Sequence, residues 1–159
     1  MLEGRKTLLT LLGQGNEGVK KVTRFAVLEK MKLSLRNKLK RILVEQSELE
    51  LAVLVGSQAT GNATLYSDWD IAIRWIKQIE PMQRLGKTET LRRLLAKQLR
   101  QPETKIDLID ITTASLAMRA VIAEEGIVLK GEDNLAWNHF LQRTWRELET
   151  YYWNKIYAT

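Results

Sequence analysis

Short apolar runs separated by amphipathic stretches organise the middle of the chain. Leu51-Ala-Val-Leu-Val55 is apolar at every position and stops at Gly56. Its length and β-branched content predict a strand buried on both faces. Asp68 to Trp75 and Lys105 to Ile111 predict two more strands, and Ile127-Val-Leu129 a short fourth. Helical spacing fills the intervals. Leu35, Leu39, Ile42 and Leu43 form one stripe between Ser34 and Gln46, and Leu91, Leu94, Leu95 and Leu99 form another between Thr88 and Leu99. Residues from Ala114 to Glu124 predict a helix closed by Gly126. From about Leu135 a long helix is expected to run toward Tyr157, because Trp137, Leu141, Trp145, Leu148, Tyr152 and Ile156 recur at spacings of 4, 4, 3, 4 and 4. Ahead of Met31 the pattern predicts two helices, Leu2–Leu12 and Val19–Met31, parted by the glycine-rich segment Gly13–Gly18. Strands and helices alternate without a regular βαβ repeat. The expected fold is therefore α+β, a small mixed sheet with helices packed on it.

Composition narrows the chemistry. The 159 residues include no cysteine and a single histidine, His139. Disulfide scaffolds, thiolate zinc sites, cysteine nucleophiles and histidine-rich metal centres are excluded. No apolar run approaches the roughly 18–20 residues of a membrane span, and the cytoplasm is the parsimonious location. The net charge of +6 is uneven: residues 1–46 hold 11 Lys and Arg against four Glu, whereas residues 47–159 hold 14 against 15 acidic residues. The basicity belongs to the N-terminal third, so it speaks only weakly for a nucleic-acid partner of the remainder. Any catalysis must use carboxylates, hydroxyls, basic groups and a bound metal.

One segment concentrates such groups. A strand delivers Gly56-Ser57, and ten residues later Asp68 and Asp70 enter the next strand. Residues i and i+2 share a strand face, so the two carboxylates project together, with Trp69 and Ile71 on the other face. Carboxylates that close repel unless a cation neutralises them. Their hard oxygens suit Mg²⁺ or Mn²⁺. Glycine lets a phosphate approach the backbone, and the N–H groups after the turn, with the Ser57 hydroxyl, can cradle it. A metal beside a phosphate cradle describes a nucleoside triphosphate site. Neither half is specific alone; both, each tied to a strand at this spacing, rarely coincide by chance.

Gly56-Ser57, ten residues, then Asp68-x-Asp70 resembles the signature of the minimal nucleotidyltransferases, part of the polymerase-β-like superfamily. Gly61, Ser67 and Trp69-Asp-Ile-Ala72 also look like that family. The resemblance covers about Ser34 to Gly131 and implies the polymerase-β-like nucleotidyltransferase fold. It divides the chain into a basic helical extension (1–32), a nucleotidyltransferase domain (33–131) and a C-terminal aromatic helix (132–159). It places a third metal-binding carboxylate on a later strand. Asp107 in Lys105-Ile-Asp-Leu-Ile-Asp-Ile111 fits, and Asp110, of opposite strand parity, is expected to cap or face solvent. One departure stands out. Many members carry Arg just after Gly-Ser, where this chain has Gln58, and Arg74 is a candidate substitute.

The implied reaction is nucleotidyl transfer. ATP is the substrate, two Mg²⁺ ions sit on Asp68, Asp70 and Asp107, and Gly56, Ser57, Gly61 and Ser67 surround the nucleotide. Small stand-alone members resemble the antitoxins of HEPN–MNT toxin–antitoxin modules, which transfer AMP to a tyrosine of the HEPN ribonuclease toxin. Such a toxin is the expected partner. A non-catalytic binding antitoxin, and transfer to a small molecule or nucleic acid, stay open as alternatives. Trp137, Trp145 and Tyr152 are candidate partner contacts, set against simple packing of the same stripe on its own domain. His139 is expected on the helix surface, outside catalysis. Met31-Lys-Leu-Ser-Leu resembles a family-type start, which would make residues 1–30 an extension or the product of a mis-assigned start.

Overall fold

The computed structural model describes residues 3–158. Five α-helices and four strands follow in the order α1 (Glu3–Val44), β1 (Leu49–Val55), α2 (Ser57–Thr60), β2 (Trp69–Trp75), α3 (Pro81–Leu99), β3 (Ile106–Asp110), α4 (Leu116–Glu125), β4 (Ile127–Lys130) and α5 (Leu135–Tyr157). A single 3-10 turn, Glu103–Lys105, leads into β3. The backbone divides into two compact units, one ending at Lys38 and the other starting at Leu39.

The described residues of the first unit are all helical, which departs from the sequence expectation. No break separates two helices at Gly13–Gly18, because α1 is continuous from Glu3 to Val44. Glycine weakens a helix interior by about 1 kcal/mol but does not stop it as proline does. The first proline in the chain is Pro81. Leu2, where the first of those two helices was expected to begin, lies outside the described residues.

The second unit is the mixed α+β sheet predicted from the alternation. Its strand order is β3-β2-β1-β4. β1 is antiparallel to β2 and β4, and β2 is parallel to β3. β1 and β2 lie inside the sheet: β1 is buried almost end to end, as its continuous apolar run requires, and β2 is buried except at Asp70 and Arg74. One face carries Leu51, Val53, Val55 and Ala72, packed with Ile111, with Ile122 of α4 and with Phe140 of α5. The opposite face carries α3, fastened by a hydrogen bond from Trp75 Nε1 to Thr88 Oγ1 at 3.0 Å. α3 begins seven residues before the expected Thr88, because Pro81 occupies its first turn, where a missing N–H costs nothing. α4 does end at Gly126, but not through a left-handed cap: φ is −69°. Glycine is needed there because a Cβ would collide with the Ile122 carbonyl and the Val53 side chain.

Candidate active site

Three elements meet at one end of the sheet. β1 runs out at Val55, which lies opposite Asp70 in the β1–β2 register. Gly56 follows with φ 68° and ψ −156°, a conformation that is essentially glycine's alone. The neighbour explains it, since a Cβ on Gly56 would overlap the Asp70 carboxylate. The two motif residues are thus packed against each other across the strands. Ser57 opens α2, where the N–H groups of Ala59 and Thr60 donate to the Gly56 carbonyl at 3.0 and 3.1 Å. The N–H groups of Ser57 and Gln58 precede that closed turn and remain available to an outside acceptor.

The parallel register of β2 and β3 sets Asp70 beside Asp107. Asp68 stands just ahead of β2, exposed, while Asp70 is half-buried and Asp107 exposed. Burial raises the Asp70 pKa above the usual carboxylate value, and the charges of Asp107 and then Asp68 push it the same way. Two neighbouring carboxylates of one segment and a third from a distant one therefore bear on the same site at Asp70. Asp110 stands apart. Its Oδ1 accepts from the Thr112 N–H at 2.8 Å and the Thr112 hydroxyl at 2.6 Å, closing the turn after β3.

Gly61, with φ 82°, ends α2 in the left-handed region. Ser67 Oγ accepts from the Thr64 N–H at 2.9 Å and so orders the loop leading to Asp68. Arg74 cannot replace the missing arginine near the phosphate turn. It lies at the other end of β2, where its Nε meets Glu50 at 2.8 Å and its Nη2 donates to the Ala136 carbonyl at 3.3 Å. Trp137 is half-buried and stacks on Phe140 with ring centroids 5.4 Å apart. It packs against the core cluster, which leaves Trp145 and Tyr152 as the more exposed of the three candidate contacts, at 40% and 57%.

Lys105 was not singled out by the sequence. Its Nζ is 2.8 Å from Asp68 Oδ1 and donates to the Tyr66 carbonyl at 2.7 Å. The available signal was parity: Lys105 precedes Asp107 by two and so shares its side of the chain. The donor set of three carboxylates, two of which add to the charge cost of Asp70, fits a hard divalent cation. Among the described residues no three acidic or imidazole groups form a ready-made ion cage, and Lys105 supplies the compensating charge at Asp68.

The sequence model of the family described as "Polymerase beta, Nucleotidyltransferase" matches residues 37–135. The chain belongs to this nucleotidyltransferase family. The match runs from the last turns of α1 to the first residue of α5 and includes every residue of the aspartate site. This nucleotidyltransferase is 28% identical over 110 residues to the protein adenylyltransferase MntA of Aphanizomenon flos-aquae (strain 2012/KM1/D3), covering 65% of this chain and 71% of that relative. It is similar to a chain in a crystal structure of a toxin–antitoxin complex with AMP-PNP, at 25% identity and TM-score 0.57, covering 76% of this chain and 94% of that chain. A chain in the structure of tri-AMPylated Shewanella oneidensis HEPN toxin with MNT antitoxin has the same fold, at 24% identity and TM-score 0.53, covering 79% and 95%. The polymerase-β-like fold expected from the motif is borne out. Among the described residues no helix is long and apolar enough to cross a membrane.

Proposed function

We propose that this nucleotidyltransferase transfers AMP from ATP to a protein hydroxyl, a tyrosine of a HEPN ribonuclease toxin, and serves as that toxin's antitoxin. The observation that carries the reading is the clustering of Asp68, Asp70 and Asp107 against the Gly56-Ser57 turn. The acceptor class is supported by the relative named a protein adenylyltransferase. ATP as donor is supported by the similar toxin–antitoxin structure with AMP-PNP.

The chemistry follows from the residues. Asp68, Asp70 and Asp107 would hold two Mg²⁺ ions, which when bound neutralise the carboxylates and triphosphate and make the acceptor hydroxyl more acidic. The N–H groups at the start of α2 and the Ser57 hydroxyl receive the β- and γ-phosphates, which leave as pyrophosphate when the acceptor oxygen bonds to the α-phosphorus and the bond from the α- to the β-phosphate breaks. Asp107 lies on the edge strand β3 and is exposed, so it faces an incoming acceptor and can take its proton. The rest of the rate comes from positioning and charge neutralisation. The partner docks on the outer turns of α5, where Trp145, Tyr152, Trp153 and Tyr157 are exposed. Trp and Tyr are the residue types that anchor interfaces.

That aromatic end also favours a second reading, neutralisation by occlusion without transfer. Mass spectrometry of the co-purified partner after incubation with ATP and Mg²⁺ separates the two. Transfer adds the mass of one AMP residue per event and is abolished by Asp68→Asn/Asp70→Asn. Occlusion leaves the partner's mass unchanged, and inhibition survives the double change.

A further inference from the structure

A cavity of about 590 Å³ opens at the end of the sheet opposite the aspartates. Arg74 marks its place: it follows Asp70 by four residues along β2, about 13 Å of strand. The segment after β3 and the inner faces of α4 and α5 complete the walls through Thr112, Arg119 and Phe140. No residue of the phosphate turn or the aspartate cluster reaches it.

The charge of this cavity is lopsided. Five lining side chains are Lys or Arg and two are Glu. Both glutamates are already committed, Glu50 to Arg74 at 2.8 Å and Glu147 to Arg119 and, at 3.5 Å, to Arg143. Lys77 and Arg84 have no carboxylate partner among the described residues. Arg84 spends one Nη2 hydrogen on the Ile79 carbonyl at 3.2 Å. The Nε groups of Arg84 and Arg119 are buried without a hydrogen-bond partner among the described residues. A concave, partly desolvated surface with surplus positive charge focuses its field on an anion.

We propose that this cavity is a second ligand site, distinct from the aspartate site, for a molecule carrying a di- or triphosphate group. The charge surplus exceeds what one carboxylate would neutralise, and guanidinium forks match phosphate oxygens in pairs. Trp75 and Phe140, both largely buried, form apolar parts of its wall, and the volume accommodates a ligand of nucleotide size. The phosphate group is the shared chemistry, which free pyrophosphate or a nucleoside diphosphate could present.

Calorimetric titration of the full chain with inorganic pyrophosphate and, separately, with ADP tests the site, in EDTA. Without divalent metal the aspartate cluster repels both probes, so binding reports the cavity. The expected result is one site per chain, unchanged in Asp68→Asn/Asp70→Asn and weakened at least about tenfold in Lys77→Glu and in Arg84→Gln, since each removes a charge-assisted contact. Lys77 is exposed, so Lys77→Glu keeps its fold and its circular dichroism spectrum. Tighter binding of ADP than of pyrophosphate would support a nucleotide ligand, and equal binding the phosphate group alone. The proposal is overturned if neither probe binds at millimolar concentration, or if binding survives both cavity variants and disappears with the aspartate changes.

Discussion

Asp70 bears the tension of the site. It is the half-buried member of the cluster, lies against the backbone of Gly56 and neighbours Asp107 across the parallel pair. Its folded pKa is raised from 3.8, by burial first and then by Asp107 and Asp68. A carboxyl whose folded pKa is raised holds its protons longer in the native state. Its contribution to stability is therefore complete below the ordinary carboxylate range and is lost as pH rises through the raised value. Asp70→Asn removes that loss. In EDTA the variant is expected to melt above the parent at pH 7.5, with the gap closing near pH 4. Thermal melts at the two pH values check this, and a parent at least as stable as the variant at pH 7.5 would refute it. Lys105 meets the same charge from outside. Its pair with Asp68 is partly exposed, at 37% and 53%, so it contributes modestly, within about 1 kcal/mol. Lys105→Met should tighten nucleotide-free Mn²⁺ binding by roughly two- to fivefold, read from the paramagnetic resonance of free Mn²⁺, while Lys105→Arg should change it little. Looser binding in Lys105→Met would contradict the competition between ammonium and metal. These residues differ in how visible they were beforehand. Asp68, Asp70 and Asp107 could be read from a motif and strand parity. Lys105 and the unsuitability of Arg74 needed the register, because sequence spacing does not say which end of β2 faces the phosphate turn.

At the level of elements, α5 is buried along its first turns and exposes aromatic side chains along its last. Its buried line is Ala136, Phe140 and Thr144, one position off the stripe that the aromatic spacing suggested. Trp and Tyr positions dominated that periodicity and drew the eye from Phe140. Beyond Thr144 the helix carries Trp145, Tyr151, Tyr152, Trp153 and Tyr157 exposed by 40–65%. Core and surface substitutions should then separate. Phe140→Ala should cost roughly 3–4 kcal/mol of stability, as for other large-to-small core changes. Trp145→Ala/Tyr152→Ala should leave the melting temperature nearly unchanged and weaken association with the partner by tenfold or more, the scale of lost aromatic anchors. Calorimetry of the complex decides, and unaltered affinity would remove α5 from the interface. The strands were the most legible elements, since short β-branched segments bounded by turn residues read as strands by their length. The uninterrupted α1 was the least legible, because its glycines resemble a break and only the absence of a proline argues otherwise.

At the scale of the molecule, the positive charge and the candidate catalytic residues lie in different parts of the chain. The surplus falls in residues 1–46, whereas residues 47–159 are close to neutral. The sheet, the aspartate cluster and the cationic cavity all belong to the unit that begins at Leu39. Leu39 and Leu43, fully buried at the end of α1, are the part of that helix the second unit needs. A chain shortened to begin at Met31 should keep them and melt within about 3 °C of the full chain, a small shift for a protein of this size. A collapse of the thermal transition would show that the earlier turns of α1 contribute to the fold of the sheet. The central claim concerns what the aspartate cluster does. Its most direct test incubates the full chain with a co-purified HEPN partner, Mg²⁺ and α-labelled ATP, and follows label on the partner. Label should appear on a partner tyrosine with wild-type protein and fall by a factor on the order of 10²–10⁴ in Asp70→Asn. Equal labelling by wild type and Asp70→Asn, or none by either, would contradict the account.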